Sequence, residues 1–379
     1  MKKIFVLIAA MAALVGCGGP RITKSGIDPS DFKTEYNGKK VALYTLTNKA
    51  GIEVCITNFG GRIVSLMAPD ADGNFRDIVL GFKTAKEYFP ENNQTDFGAC
   101  IGRYANRIDH GHLEIDGVTY QLPGNNFGHC LHGGPTGWQY QVYDAVEVTP
   151  NRLKLTILSP DGDNGFPGNV TASVTYTLTE DNKIEIAYEA VTDKATVINM
   201  TNHSYFNLAG ESRLERCSQD FLRLNASRFT PIDDTYMTTG EIRSVAGTPF
   251  DFRRGEYIGK GINDTTDVQI VNGNGYDHNW LLDTGRKMEI AAAELYSPDS
   301  GILLTVYTDE PGIQIYSGNF LDGTVVGKSG LPYRQRTGIC LETQKYPDTP
   351  NKPDWPSALL RPGETYQSHT TFAFTAIKL

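Results

Sequence analysis

Histidine is scarce in this chain, with 7 residues among 379, and so are tryptophan (3) and methionine (6). A chemistry built on many imidazoles is therefore excluded, and each His can be weighed singly. No apolar run reaches the roughly 20 residues that a membrane-spanning helix needs. Positive charge is in deficit: 44 Asp and Glu stand against 35 Lys and Arg, a formal charge of −9. With no basic run either, the footprint of nucleic-acid binding is missing, and a neutral or cationic ligand is easier to hold than a polyanion. The 6 cysteines are widely spaced and form no CxxC pair, so neither a disulfide framework nor a structural zinc site is indicated. What is plentiful is turn-forming residue: 39 Gly and 19 Pro, which favours many short elements over long helices. A composition that is 40% hydrophobic and 21% charged fits a globular protein with a sizeable core.

The N-terminus reads as an address. Lys2 and Lys3 precede the apolar stretch 4–15, and Leu14-Val15-Gly16-Cys17 resembles a bacterial lipobox, in which cleavage before Cys17 leaves that residue to carry lipid. The expected organisation is a signal peptide over 1–16, a polar lipid-anchored tether over 17–40 and one domain over 41–379. No acidic run follows Cys17, so a membrane-anchored, periplasm-facing lipoprotein is expected. Cys55, Cys100, Cys130, Cys217 and Cys340 then read as small buried hydrophobes.

From residue 41 onward the dominant signal is period-2 alternation. Strands are predicted in 41–46, 52–57, 63–67 and 78–80, then in 288–296, 302–308, 314–316, 337–344 and 371–377. A hairpin is predicted over 112–122 around Asp116-Gly117, and another over 171–190 around Glu180-Asp181-Asn182. Helical patterning is confined to pieces such as 84–89. With no linker or repeat dividing the chain, the expectation is all-β: one large antiparallel β-sandwich.

Five places break this pattern in ways that packing does not require. His132-Gly133-Gly134 displays an imidazole on a tight turn that a ligand can approach closely. His203 ends an apolar strand within the polar run Asn199 to Asn207, a local failure of pattern of the kind that marks sites. Alternation in 337–344 puts Gly338, Cys340, Glu342 and Gln344 on one face; if that face lines a cavity, the Glu342 carboxyl is raised and can act as a base. Asp277 stands at a strand entry after a loop over 272–276, and Arg103 and Arg107 flank Asn106 with hydrogen-bond donors. Metal is not expected: His110/His112 and His129/His132 have pair spacing, but neither offers a matched partner nearby in sequence. The inventory holds no phosphate loop and no activated nucleophile, and it suits proton shuffling on a polyhydroxylated ligand.

At these residues the sequence resembles the aldose 1-epimerases (galactose mutarotases). The resemblance is carried by Gly102-Arg103-Tyr104-Ala105-Asn106-Arg107-Ile108, Leu131-His132-Gly133-Gly134, Thr201-Asn202-His203-Ser204-Tyr205-Phe206-Asn207-Leu208, Gly275-Tyr276-Asp277-His278 and Leu341-Glu342-Thr343-Gln344. These blocks run in family order across the domain. The resemblance implies a galactose mutarotase-like supersandwich that interconverts the α and β anomers of free aldohexoses such as galactose and glucose, without a cofactor. It further implies that Glu342 is the base at the anomeric hydroxyl and His203 the acid at the ring oxygen. His132, Asp277, Arg103, Asn106 and Gln314 would hold the sugar. Lys345, where the family commonly has His, would lower the pKa of Glu342 if it lay beside it. A small-molecule aldohexose and a lipid anchor are the implied partners, with a monomer or weak dimer as the assembly. Three other readings compete: a phosphosugar epimerase, which needs an Arg or Lys cluster; a glycoside hydrolase with Glu342 and Asp277 as its carboxyl pair; and a sugar-binding lipoprotein without catalysis, which has no need of both Glu342 and His203.

Overall fold

The computed structural model describes residues 22–378. Every ladder between its strands is antiparallel, as the turn-rich alternating sequence predicts. A nine-stranded sheet runs, in spatial order, Asp144–Thr149, Arg152–Ser159, Val170–Leu178, Lys183–Thr192, Tyr366–Ala376, Ile302–Thr308, Ala293–Tyr296, Phe221–Leu224 and Glu256–Tyr257. Its strands alternate: Leu153, Leu155 and Ile157 point inward from one, and Ile184, Ile186 and Tyr188 from another, with less buried residues such as Lys154, Thr156 and Glu185 between them. Both predicted hairpins form, Ile115 facing Val118 across Asp116-Gly117 and Leu178 facing Ile184 across the 179–183 turn.

Over that inner face lies a six-stranded sheet in the order Tyr205–Phe206, Ile339–Gln344, Gly312–Tyr316, Asp277–Leu281, Arg228–Thr230 and Arg243–Ser244. This sheet is buried on both sides, so its strands carry two kinds of face. Ile313, Ile315, Ile339, Leu341 and Trp280 join the apolar core shared with the nine-stranded sheet, each such side chain contributing about 1.5–3 kcal/mol by burial. The opposite face is polar, and it positions the site. A third sheet, Leu43–Thr47, Glu53–Thr57, Arg62–Pro69 and Phe75–Asp77, adds Leu46, Val54, Ile56, Ile63 and Leu66 to the same core.

Two expectations are corrected here. Residues 22–40 are not a solvated tether: Ile27 and Phe32 are fully buried, and the Thr34–Tyr36 and Lys39–Val41 strands pair as a hairpin on the domain. Tyr36 adds its ring to Phe59 and Phe89, and the Lys24 amide donates to Glu53 Oε1 at 2.6 Å. The expected loop over 272–276 begins inside a short helix, Val268–Gly273, capped by the Asp267 carboxylate, which accepts from the Gln269 and Ile270 amides. Cys17 and the signal-peptide stretch lie outside the described residues. Cys55, Cys100, Cys130, Cys217 and Cys340 are all free and buried.

Candidate active site

The register of the six-stranded sheet assembles most of the site. Asp277 pairs with Tyr316, and Tyr316 with Cys340; one step along, Asn279 pairs with Gln314, and Gln314 with Glu342. Directly paired residues share a face, so Asp277, Gln314 and Glu342 look out from three adjacent strands on the same side. The Gln314 amide donates to Asp277 Oδ1 at 2.8 Å, which fixes that carboxylate's orientation.

His203 reaches this face from the Thr201–His203 strand, which pairs with Ala99–Ile101. Its Nε2 lies 3.5 Å from Glu342 Oε1, and both side chains are buried, at 4% and 2% exposure. The polar run around His203 is explained by its asparagines. Asn199 bonds the carbonyls of Ala105 and Lys345, Asn202 that of Gly98, and Asn207 those of Glu215 and Thr337. They brace the backbone where the alternation fails, while the imidazole meets Cys340 Sγ through Nδ1 at 3.5 Å and turns Nε2 towards Glu342.

His132 completes the group. Gly133 and Gly134 take positive φ, and a side chain at Gly133 would lie 2.3 Å from the Gly102 carbonyl oxygen, so only glycine lets this turn pack beside the 102–107 segment. The His132 ring meets the His203 ring edge-on at 5.2 Å. Its Nδ1 accepts from the Asn106 amide at 3.1 Å, which puts the proton on Nε2 and makes His132 a neutral donor aimed into the site. Burial, with His203 and Arg107 adding to it, holds its pKa well below the usual value. Asn106 itself is spent locally, its side-chain oxygen accepting from the Arg107 amide at 2.8 Å.

Of the two arginines, the structure selects the other one. Arg103 points away from this face: its guanidinium is shared among the Ser159 hydroxyl and the carbonyls of Ser159, Pro160, Pro167 and Gly168. The substrate-binding expectation for Arg103 is therefore corrected to a structural one, since its donors are consumed. Arg107 is the guanidinium whose charge acts on both Asp277 and Glu342; one of its nitrogens donates to Asn126 at 2.8 Å and its buried Nε has no partner. Lys345 is likewise corrected. It lies just past the end of the Ile339–Gln344 strand, where it pairs with Glu310 at 3.1 Å, and it is not among the charges acting on Glu342.

One contributor has no mark in the sequence. Asp96, half-buried, places a carboxylate oxygen within 4.8 Å of nitrogens of His132 and His203. The fully buried Arg62 holds it there by donating to the carbonyls of Thr95 and Phe97 on either side. Two further triplets lie as close together: His203 with Cys340 and Glu342, and Asp109 with His110 and His129. The spatial partners that sequence spacing did not offer to the histidine pairs are thus present. The last triplet is engaged in bracing, with the His110 amide donating to His129 Nδ1 and His129 Nε2 bonding the Thr235 hydroxyl at 2.9 Å.

The electrostatics suit a pair that shares one proton. Burial, with the Asp277 and Asp96 carboxylates adding to it, holds the Glu342 carboxyl well above the ordinary carboxylate range, while Arg107 opposes. Burial lowers His203, against a raising influence from Asp96. The two pKa values are driven towards each other, so they belong to the pair. As pH falls, Glu342 gains a proton while His203 keeps its own, and no base remains. As pH rises, the pair loses its last proton, and no acid remains. The expected kcat/KM profile is bell-shaped, its two limbs being the two proton losses of the pair. A flat profile contradicts this arrangement.

Fold and site together define an all-β protein that carries a buried carboxylate–imidazole pair ringed by polar side chains, an arrangement suited to acid–base work on a small polar ligand. The comparisons agree. The family model "Aldose 1-epimerase" matches residues 42–373. Human galactose mutarotase is 41% identical over 324 residues, covering 86% of this chain and 91% of that protein. Aldose 1-epimerase of Escherichia coli is 39% identical over 342 residues, covering 90% and 97%. Among solved structures, an aldose epimerase homologue from C. elegans superposes with a TM-score of 0.82 at 32% identity, over 89% of this chain and all of that one. A galactose 1-epimerase from Lactobacillus acidophilus gives 0.78 at 30%, over 90% and 96%. The chain belongs to the aldose 1-epimerase family. It is an isomerase that interconverts the anomers of aldoses.

Proposed function

We propose that the pair Glu342 and His203 opens and recloses the ring of a free aldohexose, galactose or glucose, and that the other site residues hold the sugar's hydroxyls. The observation that carries this reading is the 3.5 Å approach of His203 Nε2 to Glu342 Oε1 on a buried face, with Glu342 Oε2 left without any partner. The anomeric hydroxyl and the ring oxygen are bonded to the same carbon, so two neighbouring groups can serve both at once. Glu342 takes the proton of the C1 hydroxyl as His203 gives one to the ring oxygen. The C1–ring oxygen bond breaks, and the open chain carries an aldehyde at C1 and a hydroxyl at C5. Rotation about C1–C2 presents the other carbonyl face. On reclosure His203 recovers its proton from the attacking hydroxyl and Glu342 returns its own to the new anomeric oxygen. His132, a neutral donor, supports the ring oxygen; Asp277, Gln314 and Arg107 fix the sugar's remaining edge.

The setting favours a neutral sugar over a phosphosugar, since the carboxylates of Asp96 and Asp277 act on Glu342 and the charge of Arg107 is set against those of Asp277 and Glu342. Polarimetry on freshly dissolved α-D-glucose and α-D-galactose tests the reading. Acceleration in proportion to protein is expected with at least one of them, and none with either sugar contradicts it. Lipidation at Cys17 and a periplasm-facing placement belong to the same proposal, supported by the lipobox-like Leu14-Val15-Gly16-Cys17. Radiolabelled palmitate is expected to enter the wild-type chain and not Cys17→Ala; equal labelling of both contradicts it.

A further inference from the structure

Asp96 brings to the site a carboxylate oxygen that no described residue satisfies. Its Oδ1 is buried and accepts no hydrogen bond, although a carboxylate oxygen of the same residue lies within 4.8 Å of nitrogens of both His132 and His203. A buried polar atom without a partner costs free energy, and a charged one costs more. The acid–base step itself, shared by Glu342 and His203, gives Asp96 no proton to carry. Its place between the two imidazoles therefore calls for a partner that arrives with the substrate.

The surrounding structure holds this group still. The Arg62 guanidinium, fully buried, donates to the Thr95 and Phe97 carbonyls at 3.0 Å each and to the Gln139 carbonyl at 2.8 Å. The carbonyl of Asp96 accepts from the Ala99 amide at 3.0 Å. Next along the chain, the buried Phe97 ring packs edge-on against Phe82, Tyr205 and Tyr333. Gly98 takes φ 69°, and a side chain there would come within 2.0 Å of the Ile63 carbonyl oxygen. The backbone on either side of Asp96 is thus fixed while its Oδ1 stays unpaired. A contact meant for a ligand is built in this way, with its support locked in advance.

Resting on the epimerase reading, we infer that Asp96 accepts the C6 hydroxyl of the sugar, so that a free primary alcohol at C6 is part of what the enzyme recognises. The placement follows from the connectivity of the ring. Glu342 serves the hydroxyl on C1, and His203 with His132 serves the ring oxygen. That oxygen has two carbon neighbours, C1 and C5, and C5 carries C6. The strand face bearing Asp277 and Gln314, with Arg107 beside it, serves the edge from C2 to C4. A carboxylate set against both imidazoles from a separate loop meets the sugar at C5 and C6. Because a carboxylate only accepts, it takes an alcohol there and repels a second anion. The favoured substrates are neutral hexoses with a C6 hydroxyl, over 6-deoxyhexoses, uronic acids and hexose 6-phosphates.

Galactose, 6-deoxygalactose and galacturonate differ at C6 alone, and polarimetry on the α anomer of each tests the inference. Wild-type enzyme is expected to show a kcat/KM for galactose at least about 10-fold above that for 6-deoxygalactose, the size of a hydrogen bond to a charged group. Asp96→Ala should bring that ratio close to one. Asp96→Asn, which removes the charge and keeps the shape, should raise kcat/KM for galacturonate relative to galactose by about 10-fold. Both readouts are ratios within one sample, so a loss of folded protein does not move them. If the wild-type enzyme treats galactose and 6-deoxygalactose alike, or if Asp96→Ala slows both by the same factor, the C6 contact is overturned and the epimerase reading stands. An unchanged galacturonate ratio in Asp96→Asn overturns it equally. If the wild-type enzyme accelerates none of the three sugars, both readings fall together.

Discussion

Glu342→Gln is expected to lower kcat for anomer interconversion by about 10²–10⁴ without weakening the fold. Gln keeps the shape and the strand pairing with Gln314 but cannot accept the anomeric proton. The stability half of the prediction follows from the sign of the pKa shift. In the unfolded chain the carboxyl ionises near its ordinary value of about 4.3; in the folded protein burial and the Asp277 and Asp96 carboxylates delay ionisation to higher pH. Between those two points the folded state holds a proton that the unfolded state has released, so stability is lost as pH rises through the window. Gln has no such proton. Thermal melts at pH 5 and pH 9 check this: the variant should gain on the parent at the higher pH. A variant that melts well below the parent at pH 9 would show that Glu342 serves structure.

The second large effect separates the two arginines. Arg103→Ala should cost about 3–5 kcal/mol of stability, because it strips a buried guanidinium from the Ser159, Pro160, Pro167 and Gly168 carbonyls and leaves them unpaired. Arg107→Ala should instead lower kcat/KM by about 10- to 100-fold, the size of a lost charged hydrogen bond, at a smaller cost in melting temperature. Urea melts and polarimetry on both variants give the answer. Reversed roles, with Arg103→Ala folded and slow and Arg107→Ala unfolded, would contradict the assignment.

That pair of residues also shows where sequence reading runs out. Arg103 and Arg107 stand four apart in one motif, around a turn in which Asn106 takes φ 64°; which guanidinium turns inward depends on what lies across from it, and no periodicity records that. Glu342 was legible because a strand has two faces and alternation assigns the carboxylate to one of them. His203 was legible because its polar run interrupts an apolar strand. Asp96 was not, since it follows the plain polar stretch Asn92-Asn93-Gln94-Thr95 and owes its position to Arg62, 34 residues earlier in the chain. The sheets themselves were readable through period-2 alternation and through turn signals such as Asp116-Gly117. The order of the nine strands was not, because the closing Tyr366–Ala376 strand inserts between Lys183–Thr192 and Ile302–Thr308, a pairing that only the shared core can select. The segment over 22–40 is illegible for the opposite reason: its composition is polar, and it is committed to the domain by Ile27, Phe32 and Tyr36 together with long-range hydrogen bonds to Glu53 and Ser65.

The central claim is that Glu342 and His203 act as one acid–base unit on the sugar ring. A double-mutant cycle by polarimetry on α-D-galactose, with Glu342→Gln, His203→Asn and both together, tests it most directly. Residues that act as a unit are strongly non-additive, so each single variant should lose nearly all the turnover and the double variant little more. Losses that multiply, or either single variant turning over at close to the parental rate, would contradict the account.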